Sequence, residues 1–513
     1  MKFNINISPK IFLIIIVLTL IAFSVMFQYA SPVLYGVDSY YHIKLASLIK
    51  IHGFFRQFWW TKFSTFTNCF GDKDLTLHLI SIPFTFLDNF HHAAKWSTIF
   101  INILLLSAFI FVLRKYLPIS LTAIFVFLPF LTPYFVFYYV KLRPATLVTI
   151  INILGVTFLI EKKWKIVALL SFIYPLSHIS FPLMIFFAIL CEIIRYLHHK
   201  EFFIRNISAV LLATSLGCIF HPHYPNNLLV FYFNAILVPI LIFLHKKVYF
   251  GVELFPVNTK IILSMNFSTI MLFVITIWHK MICKLKLSFS TIFLFAITNV
   301  YILMSCISVR FLYPTNIFVI IFIASYLKDV LREGGFKISP KVFRVFVVLF
   351  VCFTIICGNI TLVNFLDYAL REATRNMHYE LVGRWMKDNI PPDVTIYHAY
   401  FSDSPYFLCM NPKNRYLSIL DPIFMIYYNP YRYRVYRRLR DGEYNNAYQI
   451  IKEVFSTSYG YAHKSSLLYK INIINNPHFD ILYEDDMGVV FKIIEETTPK
   501  EKEIKRDNEK PDK

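Results

Sequence analysis

Long apolar runs alternate with short charged loops as far as residue 363, and from there the chain switches to short mixed segments. The runs lie at 11–30, 97–113, 119–140, 145–160, 166–194, 206–220, 228–245, 261–278, 287–308, 311–327 and 342–363. Each is long enough to cross, or nearly cross, a hydrocarbon layer. They predict a polytopic α-helical membrane protein with about eleven transmembrane helices, in a range of about 10 to 13 because 166–194 can hold two short ones. Pro129, Pro133, Pro175, Pro182 and Pro239 fall inside the runs, which bilayer helices tolerate when neighbouring helices satisfy the freed carbonyls. Residues 1–363 therefore read as a transmembrane domain with one large loop at 31–96, and 364–496 as a soluble α/β domain. Within the latter, "FDILYEDDMGVVFKIIEE" has the pattern of a hairpin and "RYRVYRRLRDGEYNNAYQIIKEVF" has helical spacing. The charged tail 497–513 is expected to be disordered.

The loops "RKYLP" at 114–118, "EKKWK" at 161–165, "HKMICKLK" at 279–286 and "KDVLREGGFKISPK" at 328–341 are basic, and the positive-inside bias places them in the cytoplasm. With eleven crossings the N-terminus is then inside, and 31–96, 246–260 and everything after 364 are outside. The same count puts His221 on the cytoplasmic side. The N-terminal apolar stretch is long enough to span and reads as an uncleaved anchor.

Composition supports this picture: 57% of the 513 residues are hydrophobic and only 16% charged, too little polar surface to cover a soluble protein. The net charge of +20 resides mostly in the short loops, where it serves orientation and attraction to anionic lipid, so nucleic acid is not an expected partner. Eight scattered cysteines without CxxC spacing read as small core residues.

The candidate chemistry is at helix exits. In "VLYGVDSYYHIKLASLIKIHGF", residues 33–54, Asp38 follows the first apolar run closely, with Tyr40, Tyr41 and His42 behind it. The same loop holds "GDKDLTLH", where Asp72 and Asp74 have DxD spacing and His78 follows; in a turn both carboxylates can reach one cation or sugar hydroxyl. Glu253 of "FGVELFPVN" is a further acid, and Lys141, Arg143 and Arg310 are cations at helix ends, where charges are expensive and usually functional. His221 and His223 have i, i+2 spacing without a third nearby ligand. Arg432, Arg434, Arg437, Arg438 and Arg440 are interleaved with tyrosines, the pattern of a solvated helix face or of a site for lipid headgroups.

The stretch "YGVDSYYHIKLASLIKIHGF" resembles the start of the first outer loop of the GT-C superfamily of polytopic glycosyltransferases, in particular oligosaccharyltransferase catalytic subunits. There too, an aspartate before an aromatic pair follows the first transmembrane helix. The segments "KLRPATL", "HPHYPNN" and "SVRFLYP" resemble parts of bacterial membrane proteins of that type. The resemblance implies an inverting enzyme on the outer face of a bacterial inner membrane that takes a sugar from a polyprenyl-phosphate or pyrophosphate donor and hands it to a lipid, glycan or protein of the cell envelope. Read from the residues, Asp72 and Asp74 are further candidate catalytic carboxylates, and Tyr40, Tyr41, His42, Arg143, Glu253 and Arg310 are candidates for substrate binding, since a leaving lipid phosphate needs cations and an acceptor needs a carboxylate; the resemblance implies Asp38 as the catalytic or acceptor-positioning carboxylate. It further implies Mg²⁺ or Mn²⁺ held by Asp38 and Asp74. The WWDYG signature of the oligosaccharyltransferases is missing; "STSYGYAHK" keeps only Tyr459 and Gly460, which argues against protein asparagine as the acceptor.

Two other classes fit the same hydropathy pattern: a transporter or flippase of lipid-linked or small solutes, and a non-catalytic assembly protein. A transporter predicts related helix halves with Gly- or Pro-broken segments at corresponding places. The sequence shows no such symmetry and has only 13 glycines.

Overall fold

The computed structural model describes residues 9–244, 248–256, 258–283, 285–334 and 340–494. Every apolar run carries helix. The chain forms α1 (Pro9–Tyr29), α2 (Val37–His52), α3 (Leu75–Ser81), α4 (Phe90–Leu113), α5 (Ile119–Phe127), α6 (Pro133–Tyr139), α7 (Pro144–Ile160) and α8 (Trp164–Ser177). It continues with α9 (Pro182–His199), α10 (Ile204–Ile219), α11 (Asn226–Phe231), α12 (Val238–Phe243), α13 (Thr259–Cys283), α14 (Phe289–Ile307), α15 (Leu312–Arg332) and α16 (Pro340–Asn389). Among the described residues eight helices are long and apolar enough to span a membrane, and the pair formed by 119–131 and α6, bent by 90°, would make a ninth. The bend falls where Thr132 takes extended backbone and Pro133 opens the next helix, as a proline requires of the residue before it. The shorter α7, α8 and α10 are apolar as well.

By compactness the chain divides into a unit built from residues up to Phe55 and Gly71–Asn376, and a second built from Arg56–Phe70 and the chain from Met377 on. The first is the helical bundle. Its core is rich in buried aromatics such as Phe135, Tyr139, Phe293, Tyr301 and Tyr313, crossed by side-chain hydrogen bonds. Asn152 Nδ2 donates to the hydroxyls of Tyr174 (3.0 Å) and Tyr301 (2.9 Å), the kind of interhelical bond that fixes packing where water is absent.

The basic loops meet at one end of this bundle. Lys115 Nζ lies 2.9 Å from Glu161, Lys328 Nζ donates to the Lys115 carbonyl (2.9 Å), and Lys162, Lys286 and Arg332 line one cavity of about 610 Å³. Arg143 stands at the other end of α7, and Arg310 at the other end of α15. The middle of the expected topology needs correction. Residues 166–194 form two helices, because the chain breaks after Ser177 and Pro182 starts a new one. The additional helix carries the following turn away from the basic end: Gly71 packs against Asn226 so closely that a Cβ would stand 2.8 Å from the Asn226 carbonyl oxygen. His221, five residues before Asn226, therefore lies by the Asp72 loop and not among the basic loops.

The second unit holds a five-stranded sheet of order β2-β1-β3-β5-β4. Strand β1 (Thr395–His398) runs parallel to β2 (Arg415–Tyr416) and β3 (Tyr459–His463), while β5 (Gly488–Ile493) is antiparallel to β3 and β4 (Phe479–Glu484). The anticipated hairpin is β4–β5, its turn held by Asp485, whose Oδ1 accepts from the amides of Met487 (2.9 Å) and Gly488 (3.0 Å). The segment 56–70 extends the β2 edge: the amides of Lys62 and Phe63 donate to the carbonyls of Tyr416 (2.9 Å) and Leu417 (2.8 Å). The border expected at 364 lies inside α16, and the tail 497–513 lies outside the described residues.

Tyr459 and Gly460 form part of β3, in the middle of the sheet. Gly460 is required there because an added Cβ would sit 2.3 Å from the Phe491 ring. Gly460→Ala is expected to cost about 1–3 kcal/mol by overpacking, read as a lower thermal midpoint; an unchanged midpoint would mean that the ring moves aside freely.

Candidate functional site

At the end of the bundle away from the basic loops, charged side chains from four segments converge. Gly36, with φ +72°, turns the chain out of the α1 exit, and a side chain there would press on Lys141 Cδ at 3.2 Å. Its amide donates to Glu372 Oε2 (2.7 Å) and α2 begins at the next residue. Asp38 thus stands in the first turn of a 16-residue helix, where the exposed amide ends favour a carboxylate. Arg143 is placed by Pro144, which opens α7 immediately after it. Glu253 stands in a short 3₁₀ turn, Val252–Leu254, and Arg310 in another, Val309–Phe311.

Arg143 Nη2 donates to Asp38 Oδ2, and its Nη1 donates to Glu253 Oε2 at 2.6 Å. Arg310 grips the other oxygen of Glu253 through Nε (2.9 Å) and Nη2 (2.5 Å). Tyr138 donates its hydroxyl to Glu253 Oε2 (3.1 Å), and Ser308 holds the Glu253 carbonyl (2.8 Å). The result is a continuous chain Asp38–Arg143–Glu253–Arg310. Side-chain exposure rises from 14% at Arg143 to 36% at Arg310, so the network is half-buried and opens toward Arg310. Burial alone would raise the Glu253 carboxyl, but the two guanidiniums outweigh it and hold it well below the usual carboxylate range. Lys141, its ammonium 5.1 Å from the Tyr138 ring, is pushed down to about 8 by burial and by Arg143.

A second cluster lies next to the first. Asp72 Oδ1 accepts from the Asp74 amide (3.0 Å) and its Oδ2 faces His78 Nδ1 (2.6 Å); His78 Nε2 lies 2.8 Å from His42 Nδ1. Burial would raise Asp72, but His78 outweighs it and lowers the carboxyl. Asp74, just before α3, is buried with Oδ1 unpartnered, and burial, with Asp72 and Asp38 adding to it, pushes its pKa up to about 6. Tyr40 and Tyr41 are buried, Tyr41 against the His42 and His78 rings and Tyr40 against Phe90. His221 and His223 are buried too, their rings 5.5 Å apart, with His223 Nε2 3.1 Å from the Phe55 carbonyl oxygen.

Four residues expected at the site, Asp38, Arg143, Glu253 and Arg310, are thus joined directly, while Asp72, Asp74 and His42 form the neighbouring cluster. Asp38 and Asp74 do not gather with a third donor: among the described residues no group of three or more His, Cys, Asp or Glu is arranged to hold a metal ion. Asp38 is engaged by a guanidinium and Asp72 by an imidazole. Three arginines of the run have partners inside the second unit: Arg432 stacks on Phe63 (4.5 Å), Arg438 pairs with Glu443 (2.9 Å) and Arg440 lies over Tyr400 (5.0 Å). Sequence reasoning missed Tyr138 and the His42–His78 contact. The i, i+4 spacings of Asp38 with His42 and of Asp74 with His78 were the available signals.

No protein-family model and no curated protein matches the sequence. Solved structures do. ArnT from Cupriavidus metallidurans bound to undecaprenyl phosphate superposes with a TM-score of 0.62 at 10% identity, over 95% of this chain and 99% of that one. The same protein in the apo state gives 0.60 at 11% identity, over 94% and 98%. The Archaeoglobus fulgidus oligosaccharyltransferase, tethered to an acceptor peptide containing the NVT sequon, gives 0.57 at 11% identity, over 87% of this chain and 69% of that one. The chain therefore shares its fold with these proteins, a polytopic helical membrane bundle with a small C-terminal sheet domain, at distant similarity.

Proposed function

We propose that this chain is an inverting glycosyltransferase that moves a sugar from a polyprenyl-phosphate or pyrophosphate donor to a cell-envelope acceptor at the outer face of a bacterial inner membrane. In this reading the N-terminus is cytoplasmic and the C-terminal domain extracytoplasmic. The observation that carries the proposal is the Asp38–Arg143–Glu253–Arg310 network at the bundle end away from the basic loops. A lipid phosphate leaving with a bond's electron pair needs fixed cations at the membrane surface, and Arg310, the most exposed member, with Arg143 and Lys141 behind it, offers them. Asp38 orients the acceptor and faces the positive charge that develops on the sugar. Direct displacement needs no covalent intermediate, which suits a site whose carboxylates are already engaged. The undecaprenyl phosphate carried by the ArnT structure supports a polyprenyl donor. Without the sequon-binding signature, a lipid or glycan acceptor suits the chain at least as well as a protein.

The decisive experiment compares lipid extracts and envelope glycans of cells with and without the chain; identical sugars on every lipid and glycan would refute the proposal. Arg310→Ala should raise the donor KM by roughly 10- to 100-fold, the value of one charge-assisted bond to phosphate, with a smaller effect on the acceptor KM. An unchanged donor KM would remove Arg310 from the phosphate site.

A further inference from the structure

Asp38 and His42 are one helical turn apart on α2, so both side chains lie on one face of that helix, and His42 is the last visible member of a buried hydrogen-bonded line, Asp72–His78–His42. The line has a direction. A buried carboxylate can only accept, so the proton between Asp72 Oδ2 and His78 belongs to His78 Nδ1. Nε2 of a neutral His78 then carries a lone pair, and the 2.8 Å contact makes His42 Nδ1 the donor. What remains is Nε2 of His42, without a proton and one turn from Asp38. We propose that His42 Nε2 is the base that takes the proton of the acceptor during sugar transfer, with His78 and Asp72 as positioning residues that fix its tautomer and receive the charge.

The inference rests on the sugar transfer proposed above. As the acceptor O–H bond breaks, its proton goes to His42 Nε2, and the oxygen's electron pair forms the bond to the anomeric carbon. The bond from that carbon to the phosphate oxygen breaks, and the lipid phosphate leaves with its electron pair. The imidazolium passes its Nδ1 proton to His78 Nε2, and His78 passes its own toward Asp72. Burial above all, with the positive charges of Arg143 and Lys73, holds His42 well below the usual imidazole range and keeps it neutral beforehand. Tyr41, buried beside both imidazoles, faces Asp72, Asp74 and Asp38. A donor phosphate that neutralises Arg143 makes His42 a stronger base at the moment one is needed.

The test uses the full-length protein in lipid. In His42→Gln and in Asp72→Asn, whose amide can reverse the line, kcat should fall by about 10²–10⁴-fold, and the acidic limb of the pH profile should vanish while the donor KM stays within about twofold. A merely structural clamp would lower stability and leave that limb in place, which would overturn the proposal. ¹⁵N NMR of histidine-labelled wild type needs no variant: His42 Nε2 should report a bare nitrogen at neutral pH, and a protonated Nε2, or a doubly protonated His78, would overturn it. Wild-type protein that transfers no sugar sinks the functional reading and the base together. Normal wild-type transfer with unchanged variants sinks the base alone.

Discussion

Asp38→Asn is expected to reduce sugar transfer from a polyprenyl-phosphate donor by about 10²–10³-fold, the loss typical of removing one preorganised charge from a transition-state site. Insertion and folding should survive. The asparagine oxygen can still accept from Arg143, whose other arm stays on Glu253, and the α2 N-terminus loses only a favourable charge. The measurement is transfer in proteoliposomes at saturating donor, beside the elution profile in detergent. Wild-type transfer by a well-folded variant would remove Asp38 from the site.

Arg143→Leu should have the larger effect on stability. It leaves Asp38 and Glu253 half-buried on one side of the bundle, with Arg310 and the Tyr138 hydroxyl still on Glu253 and the guanidinium gone from Asp38. Breaking a buried pair by removing one partner costs 3–5 kcal/mol, and partial solvent access places this case near the lower end, about 3 kcal/mol. Transfer should be lost as well, since the leaving phosphate loses its central cation. The double variant Arg143→Leu with Asp38→Asn separates the two effects: thermal stability should partly return because one stranded charge is gone, and activity should not. A single variant as stable as wild type would show that the network does not hold the loops together.

Much of this was legible in the chain because charge is costly in an apolar sequence. Asp38, Glu253, Arg143 and Arg310 stood out at helix exits for that reason, and all four meet. Their pairing was not legible. It depends on which helices pack side by side, and hydropathy says nothing about that. The DxD spacing at Asp72 and Asp74 did not reveal that Asp72 meets His78 and the Asp74 amide, since that depends on where the short α3 starts, at the residue after Asp74. The run 166–194 was ambiguous because apolar length alone does not show a break; Pro182 was the cue. The segment 56–70, "RQFWWTKFSTFTNCF", has neither helical nor strand period, and nothing in it announced that it belongs to the C-terminal sheet.

That last placement bears on how the protein is made. Trp60 donates to the Pro412 carbonyl at 3.0 Å, a contact between residues 352 positions apart. A ribosome releases the first loop long before the strands that complete it exist, so this loop must wait, without those strands, while the rest of the bundle is synthesised. A chain ending before β2 would leave a stretch rich in Trp and Phe without the edge it was shaped to cover. Quality control of this protein should therefore act on the first loop, as the last part of the chain to become safe.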